Sequence, residues 1–291
     1  MATNPKANSA LAPDAAKVRI RFGHSPDPDD AFMFYAIAKR KISTGRLEIE
    51  HVIEDIESLN QRALRGELEA TAVSVHAYAH LADAYALMAC GASMGEDYGP
   101  IVVARRALKP AELRGLRIAI PGKLTTAALA LKLFASDFEE VVIPFDQILT
   151  AVAERRVDAG LLIHEGQITY GTHGLRKIVD LGAWWRETTG LPLPLGVDVV
   201  RRNLGRETMR ELSKVFRRSI EYALAHREDA LSYALEFGRG LSRDLGDRFV
   251  GMYVNNFTLD LGERGRRAIE TLLARGGQAG LIPSVSGLDI V

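Results

Sequence analysis

A single cysteine, Cys90, stands among 291 residues, which excludes an internal disulfide and any zinc site built on paired cysteines. Its expected role is that of a small buried hydrophobe. No apolar run approaches the roughly 18–20 residues needed to cross a bilayer, so no transmembrane helix is expected. Charge of one sign is also lacking: 37 Lys and Arg balance 37 Asp and Glu. With no net field, neither nucleic acid nor an anionic membrane surface is an expected partner. Residues 1–17 have no continuous apolar core of the kind a secretory signal requires, and read as a flexible tail on a cytoplasmic chain. The glycine spacing of a P-loop is missing as well.

What is there is the composition of a soluble globular protein, 47% hydrophobic and 25% charged, long enough for two compact lobes rather than one. The segment that organises the reading is Gly160-Leu161-Leu162-Ile163-His164-Glu165-Gly166-Gln167. It reads as a buried strand ending in a polar loop. In open α/β sheets, strand carboxyl ends deliver groups to ligands, which puts His164 where a pocket is expected. An imidazole there suits proton transfer near neutrality, or is simply a hydrogen-bonded strand end.

The same logic applies at the start. Strand 18–23 runs into His24-Ser25-Pro26-Asp27-Pro28-Asp29-Asp30 and a helix carrying Phe32, Met33, Ala36 and Ile37 on one face. Asp27 as N-cap, Pro28 at the first helical position and Asp29 and Asp30 in the first turn satisfy helix-start chemistry. Alternatively, Ser25 and one carboxylate face a ligand hydroxyl. Further strands are expected at 47–53, 68–74, 101–104, 115–120 and 141–144, with helices at 58–65 and 75–85. A short internal echo, Ala63-Leu64-Arg65-Gly66 … Leu68-Glu69-Ala70 against Ala153-Glu154-Arg155-Arg156-Val157-Asp158-Ala159, aligns Ser74 and Val75 with Ile163 and His164. Two similarly built lobes facing each other across a cleft would produce it. Pro121-Gly122-Lys123-Leu124-Thr125-Thr126 leads into a helix over 127–135, whose free N–H groups and dipole make an anion site; Thr125 also serves as an N-cap. Pro192 and Pro194 cannot sit in an interior ladder, so 191–196 reads as a stiff crossing back to the first lobe. Amphipathic helices at 207–225, 227–237, 247–255 and 263–274 should pack around that lobe. Trp184 and Trp185 are either core or the wall of an aromatic site.

Taken together, Ser25-Pro26-Asp27-Pro28-Asp29-Asp30-Ala31-Phe32, Ala72-Val73-Ser74-Val75-His76-Ala77-Tyr78, Pro121 to Ala127, Leu162 to Gln167 and Leu191-Pro192-Leu193-Pro194-Leu195-Gly196 resemble the 1,4-dihydroxy-6-naphthoate synthases of the futalosine route to menaquinone. The resemblance implies an α/β, two-lobe, periplasmic-binding-protein type II-like fold. Each lobe would be a mixed, mostly parallel sheet flanked by helices, with 18–104 plus 197–291 forming the first lobe and 105–196 the second. It implies a carbon-carbon lyase converting cyclic dehypoxanthinyl futalosine to 1,4-dihydroxy-6-naphthoate with no cofactor or metal. By position, His164 would be the general base. Thr125 and Thr126 would hold a small carboxylated substrate from one lobe, and Ala72, Val73 and Ser74 from the other. Asp30 would meet its sugar hydroxyls, and Ser25, at the end of the first strand, would face a ligand hydroxyl. The chain departs from the pattern in having Asp27-Pro28-Asp29-Asp30-Ala31 for Cys-Pro-Asn-Asp-Thr, and Ala72 where lysine is common. A solute-binding protein, or a cytoplasmic ligand sensor of the same fold with another small carboxylate ligand, is the competing expectation, and turnover separates them. A homodimer is left open.

Overall fold

In the computed structural model, which describes residues 16–238 and 240–291, the alternating segment Val18–His24 is strand β1, with Ile20 and Phe22 fully buried. Residues 1–15 of the expected tail lie outside the described residues. Pro28–Ala38 (α1) leads to Leu47–Ile53 (β2), and Ile56–Leu64 (α2) leads to Ala70–Ser74 (β3). Both strands flank β1 in parallel. Asp55 starts α2 by accepting from the N–H groups of Glu57 and Ser58, and Gly66, at φ +66°, ends it in the left-handed conformation glycine adopts freely. Val75–Tyr78 (α3) is shorter than the helix expected over 75–85, because the chain turns into Tyr85–Leu87 (β4), whose three residues are buried and pair with a strand from far along the sequence. Ser93–Gly95 (β5) follows.

The second sheet takes Ile101–Ala104 (β6), Arg117–Ile120 (β7), Glu139–Val142 (β8), Ala159–Leu162 (β9) and Arg176–Asp180 (β10) in the order β10-β6-β9-β7-β8. Between them run Thr126–Phe134 (α4), Ile148–Ala153 (α5) and Gly166–Thr169 (α6). Here the expected boundary moves: β6, assigned to the first lobe, lies antiparallel between β9 and β10 in the second sheet. After Leu181–Thr189 (α7), the return strand Leu193–Arg201 (β11) already belongs to the first sheet from Leu193 onward. That sheet runs β2-β1-β3-β11-β4, with β5 also on β11. Pro194 is accommodated because the register against β5 shifts between Pro194 and Gly196, where a missing donor interrupts little.

Gly205–Ala225 (α8), Arg227–Ala234 (α9) and Arg243–Tyr253 (α10) all pack on α1. This explains a departure from the one-faced helix expected there: every residue from Pro28 to Ile37 is buried. Asn256–Leu259 (α11) leads to Gly262–Gln278 (α12), which packs on β11, α3 and α4. Its Ile269 and Leu272 join one core with Leu129 of α4, so this last helix ties both sheets together rather than serving the first alone. Trp185 is fully buried in that core, whereas Trp184 packs against its rim. Cys90 is buried, its thiol pushed up to about 12 by desolvation and its Sγ directed at the Ser213 carbonyl.

Candidate active site

The carboxyl ends of β1, β3 and β9 meet at a cavity of about 100 Å³ between the two sheets. Ser25, Asp30, Ala72, Ser74, Thr125, Thr126 and His164 all line it. Val73 does not. Side chains alternate along a strand, so with Ala72 and Ser74 facing the cavity, Val73 points the other way into the core at 0% exposure.

His164 sits just beyond the fully buried strand β9. Its backbone adopts φ +53°, a left-handed conformation that non-glycine residues adopt infrequently and that clusters at functional sites. This twist sends the imidazole sideways into the cleft, where its Nδ1 lies 3.1 Å from Asp27 Oδ2. The edge of Phe145 packs against the ring, centroids 4.9 Å apart. Asp27 occupies the N-cap position of α1 with extended backbone but makes no side-chain cap bond. Its carboxylate turns instead toward His164 and accepts from Ser25 Oγ at 2.6 Å. Asp30 accepts from the Ser25 N–H at 2.6 Å. Helix-start residues are thus divided between building the turn and reaching across the cleft.

Several bonds join the two walls. Leu124 N–H donates to Glu57 Oε2 at 3.1 Å, and a Cβ on Gly122 would fall 2.4 Å from that carboxylate, so glycine is what lets α2 approach this loop. His76 Nδ1 meets the Thr125 carbonyl at 3.1 Å. The His76 N–H donates to Thr126 Oγ1 at 3.2 Å, and that hydroxyl donates to the Leu195 carbonyl at 2.7 Å. Burial pushes His76 down to about 4, so these contacts carry no imidazolium at neutral pH. Tyr253 and the Gln167 side chain share a 2.9 Å hydrogen bond. The Gln167 amide is also placed to reach the Gly99 carbonyl at 2.7 Å and the His164 N–H at 3.3 Å. Thr125 Oγ1 accepts from Ala128 N–H at 3.2 Å and donates to Gly122 O at 2.9 Å. Thr125 therefore caps α4 while lining the cavity. Thr125→Val should cost about 1 kcal/mol and weaken ligand binding as the N-terminal turn loosens; thermal melting and calorimetric titration of the same variant read both effects.

No lysine or arginine lines the cavity among the described residues, whereas Asp29, Asp30 and Asp198 do. Burial, reinforced by Asp30 and Asp27, holds Asp29 well above the ordinary carboxyl range. Burial likewise raises Asp198, with Asp30 adding to it, and burial takes Asp30 to about 6. Asp29 Oδ1 and Asp198 Oδ1 are buried without a hydrogen-bond partner. Gly91 makes room for Asp198, since a Cβ there would lie 2.1 Å from its Oδ2. A folded-state pKa above the unfolded one contributes stability at low pH that is lost as pH rises through the folded value. Asp198→Asn should therefore match wild type near pH 4 and melt at a higher temperature at pH 8, where the unfolded wild-type chain gains by ionising. Parallel melting curves across that range check the sign.

Sequence reasoning treated Asp27 and Asp29 only as helix-start residues and passed over Asp198, Glu57 and Tyr253. Asp198 had a readable signal: it is the lone charge in the apolar run from Leu195 to Val200, and a buried charge without a partner is costly unless it has a use. Asp27, Glu57 and Tyr253 had none, because their partners are distant in sequence.

A family model described as menaquinone biosynthesis matches residues 20–278. A 1,4-dihydroxy-6-naphthoate synthase of Thermus thermophilus is 46% identical over 262 residues, covering 90% of this chain and 95% of that protein. One from Streptomyces coelicolor is 39% identical over 272 residues, covering 91% and 95%. A crystal structure of a protein from Archaeoglobus fulgidus superposes with a TM-score of 0.87 at 50% identity, covering 91% of this chain and 98% of that one. The alkanesulfonate-binding protein SsuA of Xanthomonas axonopodis, bound to MOPS, shares the fold alone, with a TM-score of 0.70 at 15% identity over 93% and 96% of the two chains. Two helix-flanked mixed sheets around a cleft, matched along nearly their whole length to named synthases, make this chain a member of the menaquinone-biosynthesis family of 1,4-dihydroxy-6-naphthoate synthases.

Proposed function

We propose that this protein is a lyase that converts cyclic dehypoxanthinyl futalosine to 1,4-dihydroxy-6-naphthoate, with His164 as general base. The observation that carries the reading is the placement of His164: it lines the cavity between the two sheets, with Nδ1 3.1 Å from Asp27 Oδ2 and no bond to Nε2 from the described residues. Nε2 takes a proton from the bound substrate; the electron pair so released becomes a π bond as the carbon-carbon bond to the sugar-derived remnant breaks, and the pair of that bond stays on one fragment, which takes the proton back from the imidazolium. A positioned base contributes about 10²–10⁴-fold. The joined walls add orientation and exclude water. The start of α4, Thr125 to Ala127, receives the substrate carboxylate through backbone N–H groups and the helix dipole. Ser25 and Asp30 approach the sugar hydroxyls, with Ala72 and Ser74 forming the opposite wall. We assign the reaction to the cytoplasm; no helix among the described residues is long and apolar enough to cross a membrane.

The test is genetic and chemical at once. Expressed in a Streptomyces coelicolor strain deleted for its own synthase, this chain should restore menaquinone measured by mass spectrometry, and the His164→Ala variant should not. A folded, abundant wild-type protein that restores nothing would overturn the assignment.

A further inference from the structure

We infer that Asp27 is a positioning residue for His164: it fixes which ring nitrogen holds the proton and does so only across the joined lobes. The inference rests on His164 serving as the base. Asp27 lies in the turn between β1 and α1, in the lobe opposite to His164, and it is 1% exposed. Its Oδ2 is approached by two groups, the Ser25 hydroxyl at 2.6 Å and His164 Nδ1 at 3.1 Å. An ionised carboxylate is acceptor-only, so the Ser25 hydroxyl donates to it, and a carboxylate 3.1 Å from Nδ1 favours the tautomer that carries its hydrogen on that nitrogen. Nε2 is left with its lone pair, the state a base needs. The other groups around the ring do not compete for Nδ1. Phe145 presents an edge, and Asp30 acts on the imidazole only through its charge while its Oδ2 is held by the Ser25 N–H.

Two further observations make this more than a fortuitous contact. Asp27 sits where a helix cap belongs and makes no cap bond, so its side chain is committed to the cleft. His164 keeps a left-handed backbone at φ +53°, which costs energy unless the surroundings over-determine it. The Asp27 carboxylate lies 3.1 Å from its ring. As Nε2 accepts a proton, the imidazolium forms beside a carboxylate already in place; Asp27 keeps its charge and no proton passes to it. Because donor and acceptor belong to different lobes, an open cleft would leave the imidazole free to choose either tautomer. Proton abstraction is therefore coupled to closure.

The experiment compares Asp27→Asn and Asp27→Ala with wild type, reading kcat, KM and the tautomer of His164 by ¹⁵N NMR of histidine-labelled protein, with His164→Gln identifying the signal. Asparagine is isosteric and can still accept from Ser25, but its amide N–H₂ facing Nδ1 would drive the ring to the Nε2–H tautomer. We expect Asp27→Asn to lose about 10³–10⁴-fold in kcat with KM changed less than about threefold, by analogy with serine-protease triads in which the same exchange fixes the wrong tautomer. Alanine leaves the ring free to sample both tautomers, so the loss should be smaller, about 10–10²-fold. A purely structural role predicts the reverse order, the isosteric variant being milder. Equal kcat in Asp27→Asn and wild type, or an Nε2–H wild-type ring, overturns the inference. Should wild type fail to turn substrate over, the NMR arm still decides the pairing while the synthase reading alone falls.

Discussion

His164→Ala should lower kcat by about 10²–10⁴-fold, the contribution of one positioned general base, while calorimetric affinity for cyclic dehypoxanthinyl futalosine stays within about threefold of wild type. The split follows from where the imidazole acts. With Nδ1 facing Asp27 at 3.1 Å, the proposed base would engage the substrate through Nε2 mainly as the proton moves, so the loss is expected in the transition state rather than in the ground-state complex. The proposed carboxylate site at the start of α4 and the cavity carboxylates Asp29, Asp30 and Asp198 are untouched by the substitution. Because Asp27 acts through His164, adding Asp27→Asn to His164→Ala should reduce kcat no further, the non-additivity expected of groups that work as a unit. A matching loss of affinity in His164→Ala would instead make the imidazole a binding group.

Trp185→Ala should destabilise the fold by about 3–5 kcal/mol, the range for deleting a large buried aromatic side chain. Trp185 is fully buried, its Nε1 donates to the Pro192 carbonyl at 3.2 Å, and the Arg275 guanidinium lies 5.1 Å from its ring centre. The side chain thereby ties α7 to the segment entering β11 and to the end of α12, at the seam where the chain returns to the first sheet. Alanine leaves a cavity there and orphans a buried carbonyl. Trp185→Phe keeps most of the volume and should cost distinctly less. Urea unfolding midpoints at constant slope compare the variants; a loss below about 1 kcal/mol in the alanine variant would show that the seam carries little of the stability.

Trp185 also marks how far the sequence could be read. Its burial was one of two readings consistent with local pattern, and only the packing of three distant segments decides between them. Strand positions followed from alternation and apolar runs: β1, β2 and β9 lie within a residue or so of where periodicity places them. Local pattern failed where partners are remote. In α1 the periodicity reads as one apolar face, although Ala31, Phe34 and Tyr35 make the other side apolar too, and α8, α9 and α10 close over it. Strand β6 is apolar on both faces, and nothing within it says which sheet it joins. At the site, strand-end logic pointed to His164 and Ser25, the helix start to the Thr125-Thr126 turn, and the resemblance to Asp30 and Ser74; all of these line one cavity. Local pattern did not distinguish Asp27 from an ordinary cap, because the same residue type satisfies a helix N-terminus and a ring nitrogen across a cleft. Only the 3.1 Å separation from His164 makes that distinction.

Incubating purified wild-type protein with cyclic dehypoxanthinyl futalosine, and following substrate and product by absorbance and mass, tests the central claim most directly. The account predicts that substrate disappears with stoichiometric formation of 1,4-dihydroxy-6-naphthoate over many turnovers. Tight binding of the unchanged compound, with no naphthoate released, would contradict it and leave a binding protein in a synthase fold.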